Sequence, residues 1–224
     1  MNYVGVIDPE HALYWCAAIA VSAALAIVAA AWKRRTAFYV FKPLTTLLII
    51  GLVLMQPTAD FVYTRLIAAG LAFSLAGDVL LMLPRDRFVA GLVAFLIAHL
   101  LYIRAFTLDG VRATWWILLA LAAYGAVLLR ILLPHVPARL KPAVVVYALA
   151  LLAMAWTAAE RDALASGGAF ALLGGVLFVA SDSALAINRF VRQFRGADAV
   201  VLGTYYAAQA LIAFSVGVLG YRVH

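Results

Sequence analysis

The chain has 224 residues, 67% of them hydrophobic types and only 12% charged, with a formal net charge of +7. A soluble domain averages roughly half apolar and a quarter charged residues, so this composition excludes an ordinary water-soluble domain and points to lipid as solvent. The positive balance does not indicate nucleic acid, because Lys and Arg stand singly or in twos and threes at the ends of apolar runs, with no basic stripe interleaved with aromatics.

Apolar runs of about 20 residues suffice to cross ~30 Å of hydrocarbon. In chain order the runs predict spans near 11–32, 38–55, 63–83, 88–106, 114–133, 142–159, 168–190 and 198–219. The expected class is all-α: a polytopic membrane protein with eight transmembrane helices, forming one integral-membrane domain over residues 1–224. The first run reads as a retained span rather than a signal peptide, since no Lys or Arg precedes it and Lys33-Arg34-Arg35 follows it. A connection of about four residues makes spans 3 and 4 antiparallel neighbours. Cys16 lies within a span, and a single cysteine excludes an intramolecular disulfide or a cysteine-based metal site.

Positive charge sets the orientation. The odd connections hold Lys33, Arg34, Arg35, Lys42, Arg85, Arg87, Arg130, Arg139, Lys141, Arg189, Arg192 and Arg195, whereas the other side holds Arg65, Arg104, Arg112, Arg161 and Arg222. Short loops rich in Lys and Arg stay in the cytoplasm, so both termini are expected outside. An even number of spans requires the same shared side.

An internal repeat is also visible. Lys42-Pro43 opens span 2 and Lys141-Pro142 opens span 6; Gly70 precedes Asp78 by eight residues in span 3, as Gly174 precedes Asp182 in span 7. Residues 11–106 and 114–219 are therefore expected to be tandem copies of four spans, alike in orientation.

A charge at mid-membrane is costly, with values from ~2.5 to above 10 kcal/mol, so an ionisable residue there is a functional candidate. Asp78 and Asp182 fall inside spans, with His99, Tyr102, Tyr205, Tyr206 and Gln209, and Lys42 stands just inside span 2. At 1.5 Å per residue Asp78 lies ~7–8 Å and Asp182 ~12 Å from the cytoplasmic edge, and His99 and Gln209 ~16 Å. The whole set thus shares the cytoplasmic half. His99 and Tyr102 share a helix face, as do Tyr206 and Gln209, and Tyr205 and Gln209; Asp182 and Arg189 are two turns apart. Structural alternatives stand beside each reading. The acids can be hydrogen-bonded within the bundle, His99 can be a core histidine, the tyrosines can be packing aromatics, and Gln209 can join helices. No Gly-rich phosphate loop, His-Glu-x-x-His or Gly-x-Ser-x-Gly is present. His99 has no second His or Cys nearby to complete a metal site.

Several segments together resemble the YhhN-like family, which includes the mammalian lysoplasmalogenases. They are "KPLTT" opening span 2, "AGDVLLMLP" ending span 3, "FLIAHLLYI" in span 4, "FVASDSALAINRF" in span 7 and "YYAAQALIA" in span 8. Their order and spacing within an eight-span frame carry more than any one of them. The resemblance implies a cofactor-free hydrolase of the cell inner membrane that cleaves the vinyl ether of lysoplasmalogens. Its products are a fatty aldehyde and a glycerophospho-ethanolamine or -choline. The implied partners are the lysophospholipid substrate and membrane lipid. The matching polar positions are Lys42, Asp78, His99, Tyr102, Asp182, Tyr206 and Gln209.

Such a cleavage needs a proton donor to carbon and an anion that stabilises the oxocarbenium ion and activates water. Two carboxyls in unlike surroundings meet both needs. The expected roles are Asp182 as donor and Asp78 as base or cation stabiliser. His99 and Tyr206 would orient water, and Lys42 and Arg189 would meet the lipid phosphate, with Tyr102, Tyr205 and Gln209 also binding substrate. Two rivals remain open at this point: another ether or ester lysolipid as substrate, and a small proton-coupled transporter.

Overall fold

The computed structural model describes residues 9–56, 60–83, 87–162 and 167–217. Arg85, Arg222 and the last two residues of the predicted eighth span lie outside them. Eight α-helices run in chain order: α1 (Pro9–Ala31), α2 (Arg35–Met55), α3 (Phe61–Met82), α4 (Phe88–Phe106), α5 (Trp115–Leu132), α6 (Lys141–Asp162), α7 (Gly168–Ala186) and α8 (Ala197–Phe214). All eight are long and apolar enough to cross a membrane. The described residues contain no strand; each helix satisfies its backbone within its own segment, as lipid requires.

The boundaries differ from the expected ones in informative places. α2 begins at Arg35, so Lys42 sits two turns inside the helix rather than at its start. The run through span 7 does not stay α-helical: Ile187–Val191 is a π turn, an irregularity that clusters at functional sites. α8 ends at Phe214 and passes into a turn.

Six helices close a ring. α2 packs on α3, α3 on α4, α4 on α6, α6 on α7, α7 on α8, and α8 returns to α2. α3 and α4 are antiparallel neighbours along their lengths. α1 lies outside the ring across α2 and α8, whereas α5 lies outside it against α6 and the π turn. Small residues bring the ring helices together. A Cβ at Gly70 would fall 2.3 Å from the Tyr102 ring of α4, and one at Gly174 would fall 3.0 Å from the Ala208 carbonyl oxygen of α8. Van der Waals packing of this kind drives helix association in lipid, where no hydrophobic force separates helix from solvent.

Polar side chains fasten α1. Trp15 donates Nε1–H to the Leu48 carbonyl at 2.8 Å, and the Ser22 and Thr45 hydroxyls lie 2.8 Å apart. α2 carries Pro43 in its interior, which removes one backbone bond. Thr45 donates to the Phe41 carbonyl at 2.8 Å beside it.

A second polar layer stands at the opposite end of the bundle, where the sequence places few polar groups. Arg161, read as a connection residue, is buried at the end of α6. It pairs with Asp109 and lies 3.9 Å over the Tyr63 ring. The Tyr63 hydroxyl is 2.6 Å from Ser215 Oγ, and buried Glu160 accepts the Thr114 N–H at 2.8 Å. These bonds tie the even-connection ends of α3, α4, α6 and α8 together.

Candidate active site

Asp78 lies near the end of α3 and is 1% exposed, so every donor it meets comes from neighbouring helices. Lys42 of α2 places Nζ 3.3 Å from Oδ1. Thr46, one turn along α2, donates to Oδ2 at 2.9 Å, and Tyr205 of α8 donates to the same oxygen at 2.8 Å. Three donors, one of them an ammonium, are the surroundings that compensate a carboxylate removed from water. Lys42 is itself buried.

The network extends behind Tyr205. Gln209 donates Nε2–H to the Tyr205 hydroxyl at 3.2 Å and accepts from the Tyr102 hydroxyl at 2.8 Å. Tyr102, Gln209, Tyr205 and Asp78 therefore form one chain of hydrogen bonds across α4, α8 and α3. The i, i+4 spacing of Tyr205 and Gln209 puts both on one face of α8.

Asp182 of α7 has different company. Tyr147 of α6 donates its hydroxyl to Oδ2. Beside it the Ser183 hydroxyl lies 2.8 Å from the Tyr124 hydroxyl of α5, and Ser181 donates to the Val201 carbonyl at 3.0 Å. No cation pairs with Asp182 among the described residues.

Both carboxyls line one cavity of about 120 Å³. Lys42, Tyr147, Tyr205 and Arg189 line it with them, and most of the remaining wall is apolar, including Leu92, Phe95, Leu128, Leu132 and Val144. Its lining includes residues next to the odd connections, Phe88, Arg189 and Phe190 among them. There Arg189, carried by the π turn, lies 3.9 Å over the Phe88 ring and 5.8 Å from the Phe190 ring, and the two rings meet edge to face. An apolar pocket with a few convergent polar groups is the usual form of a ligand site.

Of the residues singled out from sequence, Lys42, Asp78, Asp182, Tyr205 and Arg189 line the cavity, whereas His99, Tyr102, Tyr206 and Gln209 do not. Tyr102 and Gln209 form the layer behind Tyr205. His99 is fully buried behind Tyr147, its ring 5.1 Å from Tyr147 and 4.8 Å from Phe178, both edge to face. Tyr206 packs on Tyr205 at 5.3 Å between ring centres. Lys42, expected at a lipid phosphate, is engaged with Asp78 instead. Sequence reasoning missed Tyr147 and Thr46. Thr46 lies within the quoted "KPLTT" segment, one turn after Lys42, which is a readable signal. Tyr147 lies five residues into its span and offers none beyond that position.

The described residues hold no group of three or more His, Cys, Asp or Glu placed to bind a metal ion. The chemistry available is proton donation and acceptance by two carboxyls at a largely apolar surface.

Residues 37–216 match the model of the YhhN family. Lysoplasmalogenase TMEM86B of Sus scrofa is 40% identical over 157 residues, covering 69% of this chain and 64% of that protein. The Homo sapiens protein of the same name is 37% identical over 161 residues, covering 72% and 66%. The match thus spans just under two thirds of each mammalian relative. The membrane protein YhhN of Escherichia coli O157:H7 is 33% identical over 189 residues, covering 82% of this chain and 87% of that one. No solved structure matches the fold. With its ring of membrane helices and its family match over residues 37–216, the chain belongs to the YhhN family.

Proposed function

We propose that the chain hydrolyses the vinyl ether of lysoplasmalogens, with Asp182 as proton donor and Asp78 as the anion that steadies the cation and activates water. The carrying observation is the convergence of two carboxyls with unlike partners on one apolar cavity. Asp78 receives an ammonium and two hydroxyl donors; Asp182 receives a single tyrosine hydroxyl. The mammalian relatives named lysoplasmalogenase supply the substrate class.

Asp182 delivers its proton to the alkenyl carbon one bond removed from the ether-bearing carbon, and the double-bond electrons form the new C–H bond. The ether oxygen then shares the positive charge as an oxocarbenium ion. Water adds to the ether-bearing carbon as Asp78 takes its proton. The hemiacetal collapses to a fatty aldehyde as its hydroxyl proton passes to the Asp182 carboxylate and the proton held on Asp78 passes to the departing glycerol oxygen, which returns both acids to their starting states. Paired acids handle the analogous oxocarbenium problem in glycosidases.

The other residues take supporting places. Lys42, Thr46 and Tyr205 fix the Asp78 carboxylate, and Tyr102 and Gln209 fix Tyr205. Tyr147 aims Asp182, and His99 holds the Tyr147 ring from behind. Arg189 at the cavity mouth meets the lipid phosphate, only a few bonds from the vinyl ether. The positive connections favour a mouth on the cytoplasmic face of the inner membrane, with both termini outside.

The ring supports the tandem reading, because the pairing of α2, α3 and α4 recurs in α6, α7 and α8. The halves have diverged at the acids, since Lys42 is buried on Asp78 whereas Lys141 is exposed. A proton-coupled carrier fits less well. The outer end is tied by the Arg161, Asp109, Tyr63 and Ser215 contacts, away from the cavity.

Hydrolysis in deuterium oxide enriched in oxygen-18 tests the scheme. Protonation at carbon places one deuterium next to the aldehyde carbonyl, and attack by the labelled water puts oxygen-18 in the aldehyde and none in the glycerol product. Aldehyde lacking carbon-bound deuterium, or oxygen-18 in the glycerol product, would exclude this route.

A further inference from the structure

The cavity and the lipid differ in size. At about 120 Å³ the cavity is close to the ~150 Å³ void that accommodates one benzene ring in another protein. A membrane lipid chain crosses about half of a ~30 Å hydrocarbon core, or ~15 Å. The vinyl ether and the first few carbons fill the space beside the acids, and the rest of the chain must lie outside it.

We propose that the hydrocarbon chain leaves the cavity beneath the inner half of α5, with Leu128 and Leu132 selecting which chains are accepted. This rests on the lysolipid reading above. Of the 18 residues of α5 only Gly125, Leu128 and Leu132 are buried, all in its second half. Leu128 and Leu132 form an apolar cluster with Val136 and Val144 that is separate from the main core. Both leucines also line the cavity.

The position of α5 explains the opening. α1 closes the joint between α2 and α8. By the same repeat α5 would close the joint between α6 and α4. It leans instead on α6 and the π turn, with no extended contact with α4. The cavity occupies the space so left, between Leu92 of α4 and Leu128 of α5. The tie from α5 to α7 is the Tyr124–Ser183 contact at 2.8 Å, next to Asp182 in sequence. A chain that starts at Asp182 and passes Ser183 therefore reaches α5 directly. Methylene groups replacing the leucine contacts exchange apolar for apolar surface, so parting the inner half of α5 strands no buried polar group beyond this one bond.

The probe is a non-hydrolysable 1-alkyl lysophosphatidylethanolamine carrying a diazirine in the outer third of its chain. It is irradiated with the detergent-solubilised full chain, and the labelled peptides are mapped. Binding requires no turnover, so the result stands apart from the hydrolysis test. Label is expected on α5 between Tyr124 and Leu132, falling at least fivefold in Leu128→Trp. Label confined to α1, α2 or α8, or absent from α5, overturns the assignment. In turnover, Leu128→Trp is expected to lower the rate ratio of 16-carbon to 4-carbon alkenyl lysolipid at least tenfold. Leu128→Ala, which cannot overpack, should raise that ratio. Leu149→Trp, on an exposed face of α6, should leave it unchanged. Equal loss for both chain lengths in Leu128→Trp would also overturn the assignment.

Discussion

The Lys42–Asp78 pair makes a quantitative prediction. At 3.3 Å and an effective dielectric near 20, the attraction is ~5 kcal/mol. Lys42→Met removes the ammonium and leaves Asp78 with its two hydroxyl donors, at a cost of about 3–5 kcal/mol, the range for stranding a buried charge. Asp78→Asn strands Lys42 and should cost as much. The double variant removes both charges and should recover most of the loss, giving a coupling energy of at least ~5 kcal/mol. For a chain of this size ~1 kcal/mol shifts Tm by roughly 2–4 °C, so each single variant should melt at least 6 °C below wild type in detergent. The double variant should melt within a few degrees of wild type, yet remain inactive because the anion is gone. Thermal unfolding followed by circular dichroism measures the cycle. Additive losses, or a Lys42→Met protein as stable as wild type, would refute the ion-pair account of Asp78.

Three further outcomes are expected. Tyr147→Phe deletes the donor to Asp182 without changing packing; kcat/KM for aldehyde release should fall ~10–100-fold, equivalent to ~1.4–2.7 kcal/mol, with little change in Tm. Tyr205→Phe removes one bond from Asp78 and leaves the Gln209 amide without its acceptor; it should cost ~1–3 kcal/mol in stability and lower turnover at least tenfold. Arg161→Met breaks the far-end contacts with Asp109 and Tyr63; it should lower Tm by several degrees and leave kcat/KM within twofold of wild type. A large loss of turnover in that variant would connect the two ends and revive the carrier reading.

The sequence exposes some of this architecture because lipid penalises what it contains. Asp78 and Asp182 stand out from apolar runs, and the eight helices follow from run lengths and the charges between them. Tyr205 and Gln209 are readable as a pair from their spacing. Helix order around the ring is not readable, since the pairing of α4 with α6 depends on side-chain fit between surfaces of similar polarity. Tyr147 was missed for that reason: only the neighbour opposite it distinguishes a hydrogen-bonding tyrosine from a packing one. Arg161 ends an apolar run beside a connection, where a buried arginine and a solvated one look alike in sequence. The π turn carrying Arg189 leaves no mark on the pattern, because one extra residue in a turn does not change apolar spacing enough to see.

The most direct test is aldehyde release from 1-alkenyl lysophosphatidylethanolamine by the detergent-purified protein, with Asp78→Asn and Asp182→Asn assayed alongside and each checked for folding. Release by wild type that falls at least a thousandfold in both variants is the predicted result. No release from folded wild type, or turnover retained in either variant, would contradict the account.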